Sequence, residues 1–93
     1  MAVNVARPPR LVGTLTFDMT SCTAATTTTS SAQTLAGART DMAFFVSRPT
    51  SLNAGVFPVA AFCDAADTIK IVFANVTAGD LNPSSLSYEI IGF

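Results

Sequence analysis

Thr68-Ile69-Lys70-Ile71-Val72-Phe73-Ala74-Asn75 decides the fold. Ile69, Ile71 and Phe73 recur at every second position, with Lys70, Val72 and Ala74 between them. In an extended chain, successive side chains point to opposite faces, so this period of two marks a β-strand with one buried side. β-Branched and aromatic residues favour the same state.

The same alternation appears on both sides of this segment. Before it, Val56-Phe57-Pro58-Val59-Ala60-Ala61-Phe62-Cys63 reads as an apolar strand. Pro58 has no N–H to give a ladder, so this strand is expected to start there or to lie at an edge. Asp64-Ala65-Ala66-Asp67 reads as the turn between the two strands. After residue 75, positions 76–85 read as a loop, with Gly79 and Asn82-Pro83 as turn formers. Leu86, Tyr88 and Ile90 then alternate with Ser87, Glu89 and Ile91 in a closing strand over 86–92.

Toward the N-terminus, Leu11, Gly13, Leu15 and Phe17 alternate with Val12, Thr14, Thr16 and Asp18, another strand. Thr23-Ala24-Ala25-Thr26-Thr27-Thr28-Thr29-Ser30-Ser31 is a polar, β-branched run, stiff at χ1. It suits an edge strand followed by a turn. Residues 35–40 connect, with Gly37 as turn former. Asp41 to Ser47 is apolar on both faces: Met42, Phe44 and Val46 on one, Ala43 and Phe45 on the other. Such a strand is central or is covered by a partner. Arg48-Pro49 ends it, and residues 50–55 form a loop. No segment has helical periodicity. The fold class expected is all-β, a small antiparallel β-sandwich or barrel of about six strands. An extended N-terminal arm over 1–10, where Pro8-Pro9 opposes helix, precedes a single β-sandwich domain over 11–93.

Composition limits function. A chain of 93 residues makes one domain, marginal by itself, which oligomerisation would help. Only 12% of the residues are charged, about half the share typical of globular chains, while 49% are apolar. That imbalance implies that much of the surface lies against other protein. The five basic residues Arg7, Arg10, Arg39, Arg48 and Lys70 are scattered, so no patch for nucleic acid is expected. No apolar run is long enough to span a bilayer, and Met1-Ala2-Val3-Asn4-Val5-Ala6-Arg7-Pro8-Pro9-Arg10 lacks the apolar stretch of a secretory signal. Synthesis in a cytoplasm is expected.

Residues that could carry chemistry are sparse. There is no histidine, no Ser/His/Asp set and no glycine-rich phosphate loop. Cys22 and Cys63 lack metal-ligand spacing and read as small core residues, although a disulfide between them is open. Asp64 and Asp67 flank a turn. Turn capping suits them better than Ca²⁺, which takes 6–8 oxygen ligands. Asn75-Val76-Thr77 matches the glycosylation sequon but reads as a chance match without a secretory signal. No catalytic residue, cofactor or metal is expected, and the chain is not expected to be an enzyme.

Several pieces of the C-terminal half occur in a distinctive order. Ala43-Phe44-Phe45-Val46-Ser47-Arg48-Pro49-Thr50 is followed by Leu52-Asn53-Ala54-Gly55. Ala65-Ala66-Asp67-Thr68 then leads through the alternating strand into Asn75-Val76-Thr77-Ala78-Gly79 and Asn82-Pro83. Over residues 41–93 this order resembles small β-sandwich structural proteins of tailed bacteriophages. Cys63 and Phe44-Phe45 depart from the pattern. The resemblance implies a head decoration or cement protein, made in the host cytoplasm and placed on the virion capsid surface. Its implied partners are the major capsid protein and sister subunits, as a homotrimer. A tail, fibre or head–tail joining protein is the alternative, followed by a non-viral module such as a carbohydrate-binding sandwich. The candidate interface residues are Arg7, Pro8, Pro9 and Arg10 in the arm, with Phe45, Phe57 and Ile91 as surplus apolar side chains.

Overall fold

A computed structural model describes residues 10–19 and 21–93. The expected arm therefore lies outside the described residues, apart from Arg10. The rest is all-β and without helices. Seven strands run in chain order: β1 (Leu11–Asp18), β2 (Thr26–Thr29), β3 (Gln33–Thr34), β4 (Phe44–Val46), β5 (Val56–Ala65), β6 (Thr68–Asn75) and β7 (Ser85–Gly92). Every pairing is antiparallel. The strands form one sheet in the order β1-β7-β4-β5-β6-β2, with β3 also on β6. It curls into a half-barrel, the barrel-like form of the expected class.

The alternation places the core. Ile69, Ile71 and Phe73 are fully buried on β6, as are Tyr88 and Ile90 on β7, with Leu15 and Phe17 of β1 beside them. Each fully buried side chain of this kind contributes roughly 1.5–3 kcal/mol. Phe73 and Tyr88 meet edge to face with ring centroids 5.5 Å apart, and Phe17 lies 5.1 Å from Tyr88 and 6.4 Å from Phe73.

Three expectations change in detail. The strand expected over 41–47 is regular only at Phe44–Val46, because Met42 N–H turns back to Arg39 O. Ala43 still bonds to Phe93, just past the end of β7, and Ser47 to Glu89 within it. Next, β5 starts at Val56 rather than Pro58 and is interior in the sheet order. Pro58 is tolerated because short β4 meets β5 at Phe44↔Ala61, and because a bulge lies between Pro58 and Ala60. Lastly, β5 runs on through Asp64 and Ala65, so the turn to β6 is Ala66-Asp67 alone.

Polar side chains hold the loops where ladders stop. The four threonines of β2 form a sheet edge, as the sequence implies. Between β2 and β3 the regular ladder with β6 lapses over residues 30–32. There Ser30 N–H donates to Ile71 O at 2.8 Å, and Ile71 N–H donates to Ser30 Oγ at 3.0 Å, so a hydroxyl substitutes for a strand carbonyl. Arg48 spans the loop that follows it. Its guanidinium donates to the carbonyls of Pro49, Leu52, Asn53 and Val56 at 3.2–3.3 Å, and lies 5.4 Å from the Phe57 ring centroid.

Candidate protein-binding face

The register brings the apolar residues of the outer side together. Val12 pairs with Ile91, and Ile91 pairs with Phe45. Phe44 pairs with Ala61, which puts Phe45 beside Ala60, and Ala60 pairs with Val72. Val12, Ile91, Phe45, Ala60 and Val72 therefore form an uncharged row across five strands, ending against Thr29 of β2. A second line runs along β5, where Phe57 pairs with Ala74 on one side of the row and Phe62 with Lys70 on the other. The apolar residues make a cross centred on β4 and β5.

Ile91 and Val72 are half-buried, and the larger side chains around them are open to solvent. Val12 is 66% exposed, Phe45 63% and Val59 55%, with Phe57 and Phe62 near 40%. Isolated apolar residues are ordinary on a surface, but apolar residues gathered into one patch make a candidate interface. Phe45 is braced by an edge-to-face contact with Phe93 at 5.8 Å. Glu89 of β7 flanks the row on one side. Lys70 of β6 flanks it on the other and is paired with Asp64 at 2.9 Å. That hydrogen bond holds the Asp64 carboxyl below its ordinary range.

Of the candidate residues, Phe45 and Ile91 are directly opposite one another, and Phe57 shares their face. Arg10 is exposed at the strand end and donates to Phe93 O at 2.9 Å. Arg7, Pro8 and Pro9 lie outside the described residues. Val12, Val59 and Phe62 belong to the face but were not among the candidates. On β1, Val12 shares its side with Thr14, Thr16 and Asp18, which reads as a solvated side until the neighbouring strand is known.

The residues with possible chemistry serve the fold. Cys22 and Cys63 are both buried and unbonded to each other. Burial pushes the Cys22 thiol up. The two aspartates work separately: Asp64 pairs with Lys70, while Asp67 accepts Gly37 N–H at 2.8 Å. The capping expected of Asp67 is thus directed at a connector remote in sequence rather than at its own turn. Among the described residues no three His, Cys, Asp or Glu side chains converge on one point. An open hollow lined by Ala25, Thr26, Thr27, Ala74, Asn75 and Val76 carries no ionisable group.

Tyr88 is the anomaly of the core. Its hydroxyl is buried without a hydrogen-bond partner among the described residues. Burial raises its pKa, with smaller contributions from Cys22 and Asp18. A raised folded-state value means the stability tied to the neutral phenol is complete below the unfolded pKa, near 10. It is lost as pH rises through the folded value. Tyr88→Phe is expected to change stability by less than about 1 kcal/mol at pH 7, since no hydrogen bond is broken. It should also flatten the fall in stability above about pH 10. Urea melts at pH 7 and 10.5 check both; a large loss at pH 7 would show that the hydroxyl is bonded.

No protein-family model, curated protein or solved structure matches the chain.

Proposed function

We propose that this chain is a structural binding protein rather than a catalyst. It works by covering the apolar outer face of its sheet with other protein. The observation that carries this reading is the row Val12, Ile91, Phe45, Ala60 and Val72, with Phe57 and Phe62 on either side of it. A small domain has no reason to keep large apolar side chains on both faces of one sheet unless both faces are covered.

The resemblance over residues 41–93 makes the specific role a head decoration protein of a tailed bacteriophage. In that role it binds the lattice of the major capsid protein and stabilises it from the virion surface, as a homo-oligomer. Neither nucleic acid nor membrane is a partner, and no cofactor is required.

The test is addition of the purified protein to expanded, undecorated phage heads, followed by sedimentation. Saturable binding of hundreds of copies per head is expected. Absence of binding would defeat the capsid role. A dozen or fewer copies per virion would move the protein to the neck, tail or fibre.

A further inference from the structure

We propose that the outer face pairs with the same face of a second copy across a two-fold axis, with the two sheets crossing near 90°. This rests on the reading of that face as a protein-binding surface and identifies its occupant.

Charged side chains flank the row on opposite sides, Glu89 on one and Lys70 with its partner Asp64 on the other. Glu89 is on β7, one row to one side of the apolar row. Lys70 is on β6, one row to the other side. In the strand order β7-β4-β5-β6, the point midway between them falls between Phe45 and Ala60, at the centre of the cross. Three strand steps separate them across the sheet, about 14 Å at ~4.8 Å each. Two rows separate them along it, about 14 Å at ~3.4 Å per residue. The line joining them is therefore diagonal, and the line that bisects it runs at about 45° to the strands.

A two-fold axis along that bisector, lying in the plane of the face, has three consequences. Glu89 of each copy faces Lys70 of the other and shares that ammonium with the Asp64 already bonded to it, so two Glu–Lys–Asp contacts form at once. The direction of the row exchanges with the direction of β5, so the sheets cross nearly at right angles, one of the two preferred packings of stacked sheets. The arms of the apolar cross also exchange: Phe62 meets Ile91 of the second copy, and Phe57 meets Val72. The cross is self-complementary about the same line as the charges.

Area and charge agree with this. Val12, Phe45, Phe57, Val59 and Phe62 together expose on the order of 450 Å². A standard interface takes about 800 Å² per partner, which the intervening Ala60, Val72, Ala74 and threonine surface can complete. The net charge of −1 per chain gives little repulsion between copies. A face-to-face contact of this kind closes with two copies. It therefore predicts a pair, where the sequence resemblance implies a trimer.

Sedimentation equilibrium of the full chain tests the pairing. The wild type is expected to run as a dimer. Phe45→Glu should be a monomer with unchanged β-sheet circular dichroism. Lys70→Glu alone should dimerise about tenfold more weakly or worse, because it sets Glu89 against two carboxylates twice, and Glu89→Lys alone should weaken less, because Asp64 partly offsets Lys70. Mixed one to one, they should pair with each other, since every contact is again of opposite sign. A monomeric or trimeric wild type would overturn the proposal, as would a dimer indifferent to Phe45→Glu. Failure of the mixture to pair, with both variants folded, would overturn the axis. Head binding separates this from the functional reading. A monomer that still decorates heads refutes only the pairing; a dimer that ignores heads refutes only the capsid role.

Discussion

Asn75→Asp is expected to destabilise the protein by about 3–5 kcal/mol at pH 7, the range seen when a buried charge is left without a partner. Asn75 is 2% exposed and uses both ends of its amide. Its Nδ2 donates to Cys22 O and Gly79 O, both at 2.9 Å. Its Oδ1 accepts from Thr77 N–H at 2.9 Å and Thr77 Oγ1 at 2.7 Å. The one side chain ties the end of β6 to the loop after it and to the segment around Cys22, 53 residues away in sequence. An aspartate keeps the acceptor but sets a charged oxygen against two carbonyl oxygens. Only its protonated form can donate there. The variant's folded carboxyl is then raised above the unfolded value of about 3.9, and its deficit should grow as pH rises from 4 to 7. Asn75→Ala removes the donor and acceptor together and should lose about 2–4 kcal/mol with little dependence on pH. Urea melts at both pH values distinguish the two. Small domains hold about 0.05–0.15 kcal/mol per residue, so Asn75→Asp should leave a substantial unfolded population at neutral pH. Equal stability of Asn75→Asp and wild type would show that the corner is solvated.

The same residue shows what a linear reading misses. As part of Asn75-Val76-Thr77 it reads as a chance glycosylation sequon, and the residue types carry no sign that Cys22 O lies within reach. The strands are a different matter. β1, β6 and β7 follow from period two, and the buried set Ile69, Ile71, Phe73, Tyr88 and Ile90 is the set the alternation of β6 and β7 implies. On β5 the period breaks. Phe57 and Phe62 are five positions apart, so strict alternation puts them on opposite faces. The bulge between Pro58 and Ala60 resets the phase and brings both to the outer face, as it brings Val56 and Cys63 to the inner one. An apolar segment shows that both faces are covered, but a bulge inside it decides which residue serves which. The cross on the outer face was legible as surplus apolar residues. Its shape was not, because it depends on Val12, Ile91, Phe45 and Ala60 coming into line from four strands.

The two phenylalanines Phe73 and Phe45 should respond in opposite ways, which separates the inner face from the outer. Phe73→Ala is expected to lose about 3–5 kcal/mol, the usual range for a buried aromatic cut back to alanine. It is fully buried and touches both Phe17 and Tyr88, so its removal leaves a cavity in the aromatic cluster that β-strands held by ladders cannot collapse around. The loss should be the same at every protein concentration, because the contact lies within one chain. Phe45→Ala removes the same atoms from a side chain that is 63% exposed and supported chiefly by Phe93. At dilutions where the chain is monomeric it should lose less than about 1 kcal/mol. Where copies pair, the wild type gains stability with concentration by mass action, and Phe45→Ala should gain less. Denaturation midpoints followed over a hundredfold range of concentration would therefore give parallel lines for wild type and Phe73→Ala, and a flatter line for Phe45→Ala. If all three lines were flat, the outer face would not associate with itself. If Phe45→Ala alone were as unstable as Phe73→Ala at every dilution, Phe45 would belong to the core of the single chain.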